Sequence, residues 1–211
     1  MRSRLARTPG ARLGRAATWL LLVLYGGGAI AQRFTEAVPA DVLGYAPSAA
    51  RTAAWLAAGP IALAAANARE QRDATEGIDA LVGAFGVTAG ALRGARLVAA
   101  SLACGLAVAI PAIGTALVAA ALQAAPLDGV LALRAVPPLA AFAAVAGLLL
   151  GLAAVLSDRL TPGRGRSTLV ALVVVPWVVA DALGWSGASI PGALDAVLGS
   201  ALAAVGLARL A

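Results

Sequence analysis

Two stretches of this chain, residues 97–122 and 135–156, contain no charged side chain. A helix needs about 20 apolar residues to cross the hydrocarbon core of a bilayer, so each stretch is long enough to span a membrane. Four further stretches are also strongly apolar: 16–32, 52–68, 168–184 and 190–210. The chain is 61% hydrophobic and 12% charged, about half the charge of a soluble domain. The sequence therefore predicts an all-α, polytopic membrane protein, with six transmembrane helices in a single domain over residues 1–211.

The arginines predict how these six helices are oriented. Thirteen of the sixteen basic residues, all of them arginine, precede span one, lie between spans two and three or four and five, or end the chain. The other set of loops carries Arg33, Arg51 and Arg134. Because cytoplasmic loops hold the excess of basic residues, we expect both termini in the cytoplasm and the protein in the bacterial inner membrane. The net charge of +6 then suits anionic membrane lipid, and no nucleic-acid partner is expected.

Residues 70–85, in the largest predicted cytoplasmic loop, contain four of the ten acidic residues: Glu70, Asp73, Glu76 and Asp79. Apolar residues recur there at helical spacing: Ile78, Leu81, Val82 and Phe85. This pattern predicts an amphipathic helix with an acidic face. Helices that bind lipid surfaces usually carry Lys and Arg instead, so an acidic face favours a protein partner. A solvated helix whose acids pair with Arg69 and Arg72 is an equally open interpretation.

The loop that contains this segment resembles, over residues 68–96, the motif of permease subunits of type-2 ABC transporters, which are largely exporters. Glu70 matches the leading acid of that motif, Ala74-Thr75-Glu76 lies near its Gly-Thr-x-Glu, and Leu81-Val82 stands at its paired leucines. Gly86-Val87-Thr88 replaces its Pro-Val-Ser, and Gly94-Ala95-Arg96 stands for the Gly-Lys that opens span three. The six predicted spans and the cytoplasmic termini also match that family.

The resemblance implies that residues 70–85 are a coupling helix, whose four acids dock on a separate ABC ATPase subunit. The chain contains no phosphate-binding loop of the G-x-x-x-x-G-K-[ST] type, so ATP hydrolysis is expected in that partner and this chain is not expected to be an enzyme. The resemblance further implies a second permease chain, identical or homologous, and export of an amphipathic substrate. The alternative function is a non-transporting membrane scaffold or assembly protein of an envelope or motility complex.

The sequence contains few of the residue types that catalysis or cofactor binding requires. There is no histidine, so a histidine base or metal ligand is excluded, and we expect neither a metal nor another cofactor. Cys104, the one cysteine, lies in an apolar run and is predicted to be a small buried hydrophobe. Ser200 has no candidate base near it in the sequence, which favours a packing residue over a nucleophile.

Asp181 and Asp195 are candidates for an outer vestibule. Asp195 is predicted in the first turn of span six, where the helix dipole favours a negative charge. Asp181 lies late in span five, where the dipole disfavours it, so we expect it to face a partner helix or water, with Arg134 or Arg51 as counter-charge. Equally open is a span five that ends before Asp181. The first interpretation predicts that Asp181→Asn impairs transport more than Asp195→Asn.

Small residues predict where helices approach closely. Gly147-x-x-x-Gly151 in span four has the spacing of a tight helix crossing. Gly26-Gly27-Gly28 in span one favours static packing against a bulky neighbour, with a moving hinge as the alternative.

Overall fold

The computed structural model of the protein describes residues 8–34, 39–66, 86, 88–122, 126–161, 164–185 and 189–210. Within these ranges every regular element is helical. The elements are α1 (Pro9–Arg33), α2 (Pro39–Leu56), α3 (Ala58–Ala65), α4 (Ala89–Leu122), α5 (Pro126–Arg134), α6 (Val136–Leu160), α7 (Gly165–Ala182) and α8 (Ile190–Ala204), followed by a 3-10 turn over Ala208–Leu210. The predicted all-α class is confirmed.

Among the described residues, four helices are long and apolar enough to cross a membrane. They are Pro9–Gln32, Gly90–Leu122, Ala132–Leu160 and Gly165–Ala182. They correspond to the first, third, fourth and fifth predicted spans and indicate a multi-pass membrane protein. Of the sixth predicted span, residues 190–210, the first 15 residues form α8, a shorter apolar helix.

The second predicted span, residues 52–68, has a different extent in the structure. Its helix, α2, already begins at Pro39, because a row of small and apolar side chains packs into the core there: Val42, Leu43, Ala46, Ala49 and Ala50. Arg51, predicted to lie in a loop, is therefore inside a helix. Pro60 has no N–H to donate to the carbonyl of Leu56, which accounts for the break at Ala57 between α2 and α3.

A close helix crossing lies between α4 and α6, where the Gly147-x-x-x-Gly151 spacing predicts it. A Cβ atom on Gly147 would lie 2.5 Å from the carbonyl oxygen of Ser101 and 2.8 Å from the Cα of Gly105. A Cβ atom on Gly151 would likewise overlap Ser101. The backbones of the two helices touch at this crossing, so any larger side chain would push them apart.

Glycines on one face of α1 also seat it against α2 and α3. A Cβ atom on Gly10 would lie 2.7 Å from the carbonyl oxygen of Pro60, and one on Gly28 would lie 2.9 Å from the ring of Tyr45. The start of α1 thus meets α3 and its end meets α2, so the helices run antiparallel. Gly28 thus has a bulky neighbour in Tyr45, whereas a Cβ atom on Gly27 would meet nothing within 4 Å. Between these contacts, the hydroxyls of Tyr25 and Thr52 lie 2.7 Å apart in a hydrogen bond.

The same kind of contact gives the direction of the remaining long helices. Leu22 lies against Gly114 and Gly26 against Val118, so α4 runs parallel to α1. Gly105 lies against Ala143 and the earlier residue Ser101 against the later residue Gly151, so α6 runs antiparallel to α4. The starts of α1, α4 and α7 and the ends of α3 and α6 therefore share one end of the bundle, which we call the Pro9 end.

Candidate functional site

The four acids assigned to the coupling helix, Glu70, Asp73, Glu76 and Asp79, lie outside the residues that the structure describes. The described chain reaches Ala66 on one side of that segment and resumes at Gly86 and Thr88 on the other. These two attachment points show how the loop is joined to the helices.

At the second attachment point, Gly86 and Thr88 lie just before α4. Gly86 has a φ of 77°, in the left-handed region that glycine adopts readily and proline cannot. The backbone here therefore differs from one with the Pro-Val-Ser of the resembled family. The hydroxyl of Thr88 accepts a hydrogen bond from the N–H of Ala91 at 3.2 Å, which caps the helix. Because α4 begins at Ala89, Gly94-Ala95-Arg96 lies inside the helix and does not open it.

At the first attachment point, the ends of three helices meet. The carbonyl oxygen of Ala66 approaches Gly165, the first residue of α7, so closely that any Cβ there would overlap it. The same Cβ would lie 3.2 Å from the Cα of Asp158 on α6. The hydroxyls of Thr161 and Thr168 share a hydrogen bond across the turn from α6 to α7. We call this contact of α3, α6 and α7 the three-helix junction.

Asp158, in the three-helix junction, is a residue that the sequence analysis missed. It is 5% exposed, and its neighbour Ser157 is fully buried and donates to the carbonyl of Ala153 at 2.7 Å. A signal was present in the sequence. Asp158 continues the four-residue steps of Leu150 and Ala154, which are both buried, so its register placed it on the core-facing side of α6.

Arginines gather at the Pro9 end of the bundle. The exposed ones are Arg12, Arg15, Arg93, Arg159, Arg164 and Arg166. Arg134, which precedes α6, lies at the opposite end and is also exposed. These exposed arginines lie at the ends of the bundle that match their predicted loops, whereas Arg51, predicted with the second set, lies inside α2.

The predicted environments of Asp181 and Asp195 need correction. Asp195 is not in the first turn of α8, which begins at Ile190 behind the capping side chain of Ser189 and has no acid in that turn. Arg51 does not serve Asp181. Its Nε donates to Oδ1 of Asp195 at 3.0 Å and joins α2 to α8. Asp181 lies in the last turn of α7 and is exposed, so the helix, though not necessarily the membrane span, extends as far as this residue.

The Arg51–Asp195 pair is partly exposed at a position away from the Pro9 end of the bundle. Arg51 precedes Ala66 by fifteen residues, so at about 1.5 Å per helical residue it lies at most about 22 Å from the Pro9 end along the bundle, less than the roughly 30 Å of a hydrocarbon core. The two side chains are 35% and 59% exposed. A charged side chain within the membrane costs about 2.5–3.5 kcal/mol on insertion scales. At such a depth in a bilayer, the exposed part of the pair would be more stable against water or protein than against lipid.

The remaining candidate residues show no catalytic arrangement. Cys104 is fully buried, as predicted, and its thiol donates to the carbonyl of Ala58 at 3.7 Å. Ser200 is exposed and donates to the carbonyl of Val197 at 3.0 Å. Within the described ranges, no three His, Cys, Asp or Glu residues come together as a set that could hold a metal.

Comparison with known proteins adds no family to these observations: no family model, curated protein or solved structure matches this chain.

Proposed function

We propose that this chain is the membrane-spanning permease subunit of an ATP-driven ABC exporter. In this proposal the six spans are α1, α2 with α3, α4, α5 with α6, α7, and α8. Residues 70–85 form the coupling helix, and its acids bind a separate ATPase subunit that hydrolyses ATP. Both termini lie in the cytoplasm of a bacterium, a second permease chain completes the transport path, and the cargo is an amphipathic molecule.

The observation that carries the proposal is the three-helix junction. A coupling segment must pass its displacement on to the membrane helices. Ala66 immediately precedes the loop that contains the proposed coupling helix, and its backbone is in contact with Gly165 and, through Gly165, with Asp158. Because packed interiors deform little, a displacement of Ala66 would move the ends of α6 and α7 with it. Ala66, the last described residue before the loop, therefore has a stiff connection to two long apolar helices.

The arginine-rich Pro9 end supports the orientation in this proposal. An ATPase subunit is cytoplasmic, so the coupling loop has to emerge on the cytoplasmic side. Both attachment points of that loop, Ala66 and Thr88, lie at the Pro9 end, where exposed arginines from α1, α4, α6 and α7 also lie. The positive-inside rule assigns such an end to the cytoplasm.

Charge reversal tests the coupling. We expect the wild-type chain, purified from native membranes, to carry with it a subunit with ATPase activity. The variant Glu70→Lys, Asp73→Lys, Glu76→Lys should lose both the subunit and the activity, because its acidic face becomes basic. A matched control reverses three acids of the opposite predicted loops: Glu36, Asp41 and Asp128. An ATPase that stays bound to the first variant contradicts the coupling role, and a wild-type chain without any ATPase favours the scaffold alternative.

Cysteine labelling tests the orientation. In a Cys104→Ala background, we expect Thr161→Cys to react with a membrane-impermeant thiol reagent only after the cells are opened. Asp128→Cys should react in intact spheroplasts. The reverse pattern would overturn the assignment of the Pro9 end to the cytoplasm.

A further inference from the structure

The outward face of α8 is composed of small and polar residues. The opposite face buries Leu194, Leu198 and Leu202, which follow one another at four-residue steps and are at most 2% exposed. The outward side consists of Asp195, Ala196, Gly199, Ser200, Ala203 and Ala204, of which Gly199 is partly exposed and the others are exposed. No exposed large hydrophobic side chain comes from α8, all of which the structure describes. A helix that faces lipid on this side would be expected to expose leucine, valine or isoleucine.

The Arg51–Asp195 pair lies at the edge of the same surface. The structure gives each of these side chains one hydrogen bond, from Nε of Arg51 to Oδ1 of Asp195. In the part of the chain that the structure describes, the two terminal guanidinium nitrogens and the second carboxylate oxygen make none. Lipid tails offer no hydrogen-bonding groups, so these polar atoms indicate that something other than lipid covers them.

A row of partly exposed residues on α2 continues this surface beyond Arg51. Gly44, Ser48, Arg51 and Trp55 follow the helical repeat and are each partly exposed, whereas Ala46, Ala49 and Ala50 on the other side are fully buried. The ion pair joins the row to the outward side of α8. We call the combined surface the α2–α8 face, defined by Ser48, Arg51, Trp55, Asp195, Gly199, Ser200 and Ala203.

We infer that the α2–α8 face is the surface on which a second copy of this chain packs. Small residues allow the backbones of two membrane helices to approach, and hydrogen-bonding groups between helices add to the contact. The face carries one positive and one negative side chain, so it is complementary to itself. A two-fold axis along the membrane normal brings Arg51 of one protomer to the partner's Asp195, and the reverse contact forms at the same time. The four charges then alternate in sign. The inference does not depend on an ATPase or on transport.

Disulfide cross-linking tests the position of the interface. In a Cys104→Ala background, Ser200→Cys or Ala203→Cys would lie close to its own counterpart, because the two α8 helices run side by side. A disulfide needs Cα atoms about 4.4–6.8 Å apart. The matched control is Val175→Cys, which is 57% exposed on α7. We expect oxidised membranes to yield at least about tenfold more cross-linked dimer from the α8 positions than from α7. Equal yields from the two helices overturn the inference.

Charge complementation in trans tests the role of the ion pair. Arg51→Asp and Asp195→Arg are made in two differently tagged chains. Each variant alone places like charges within and between its protomers, so we expect its dimer to be lost. When the two chains are co-expressed, each acid of the first chain faces a base of the second chain across the interface. Opposite charges then meet only between protomers, and the two tags should co-purify. A pair that acts within one chain, or that binds a ligand, cannot be rescued in this way, so failure to co-purify overturns the inference. If the single variants do not insert into the membrane, the cross-link at Ser200 decides.

Discussion

The helices α7 and α8 follow one another in the chain and are both apolar, yet their exposed surfaces differ. The exposed side of α7 consists largely of bulky side chains, such as Val175, Trp177 and Val178, and few of its residues are buried. The exposed side of α8 carries alanine, serine and an aspartate. Bulky apolar side chains suit lipid, whereas small ones gain from contact with another helix. Mean hydropathy alone does not separate these two kinds of membrane helix, and the size of the exposed side chains does.

The acidic residues on these two helices also differ in their surroundings. Asp181 is exposed in the last turn of α7, near the end of the bundle opposite the Pro9 end. Asp195 lies farther from its helix terminus and is paired with Arg51 of another helix. Asp195, and not Asp181, is therefore the acid whose loss leaves Arg51 without its counter-charge.

A bulky residue on each helix should give the largest difference between them. We expect Ala203→Trp on α8 to reduce the dimer fraction, because the added ring keeps the two backbones apart. Overpacking costs about 1–3 kcal/mol, which corresponds to roughly 5- to 150-fold in the dimerisation constant. Val175→Trp on α7 should leave the constant unchanged, since a tryptophan facing lipid displaces no protein. Single-molecule photobleaching in bilayers measures both. Equal loss from the two variants would remove the distinction between the helices.

Removing the two carboxylates should give a smaller difference. We expect Asp195→Asn to destabilise the folded protein by about 1–2 kcal/mol, near the upper range for polar contacts between membrane helices, because Arg51 loses its counter-charge. Asp181→Asn should change the stability by less than about 0.5 kcal/mol, as is usual for surface sites. Unfolding in mixed micelles of increasing SDS content measures both values. A larger effect at Asp181 would contradict a stabilising role of the Arg51–Asp195 pair.

The exposure of single residues to lipid should differ least between the two helices, and it can be measured position by position. Spin labels at cysteines replacing Val178 on α7 and Ala196 on α8 report collisions with oxygen, which is concentrated in the bilayer. We expect the α7 label to collide with oxygen more often, because a partner covers the α8 label. The difference should shrink when Arg51→Asp is introduced and the partner is lost. Equal accessibility in the unaltered background would mean that lipid covers both helices.

Hydropathy and spacing determined much of this protein. An uncharged apolar stretch that is long enough to cross a bilayer predicts a membrane span. Four of the predicted spans correspond to long apolar helices. The Gly147-x-x-x-Gly151 spacing also identified a true close crossing, because i and i+4 always share one helix face. Both properties are local, so they can be read from consecutive residues.

The tertiary structure alone decided the features that join distant parts of the chain. The early start of α2 was hidden by Asp41 and Arg51, whose charges lower the hydropathy of a helix that packs by its small side chains. Asp158 and Gly165 acquire their place only when α3 packs against α6 and α7. Arg51 and Asp195 are 144 residues apart in the chain and meet because α2 and α8 are neighbours in the bundle. Local patterns describe each helix separately, and which helices become neighbours depends on how all of their faces pack together.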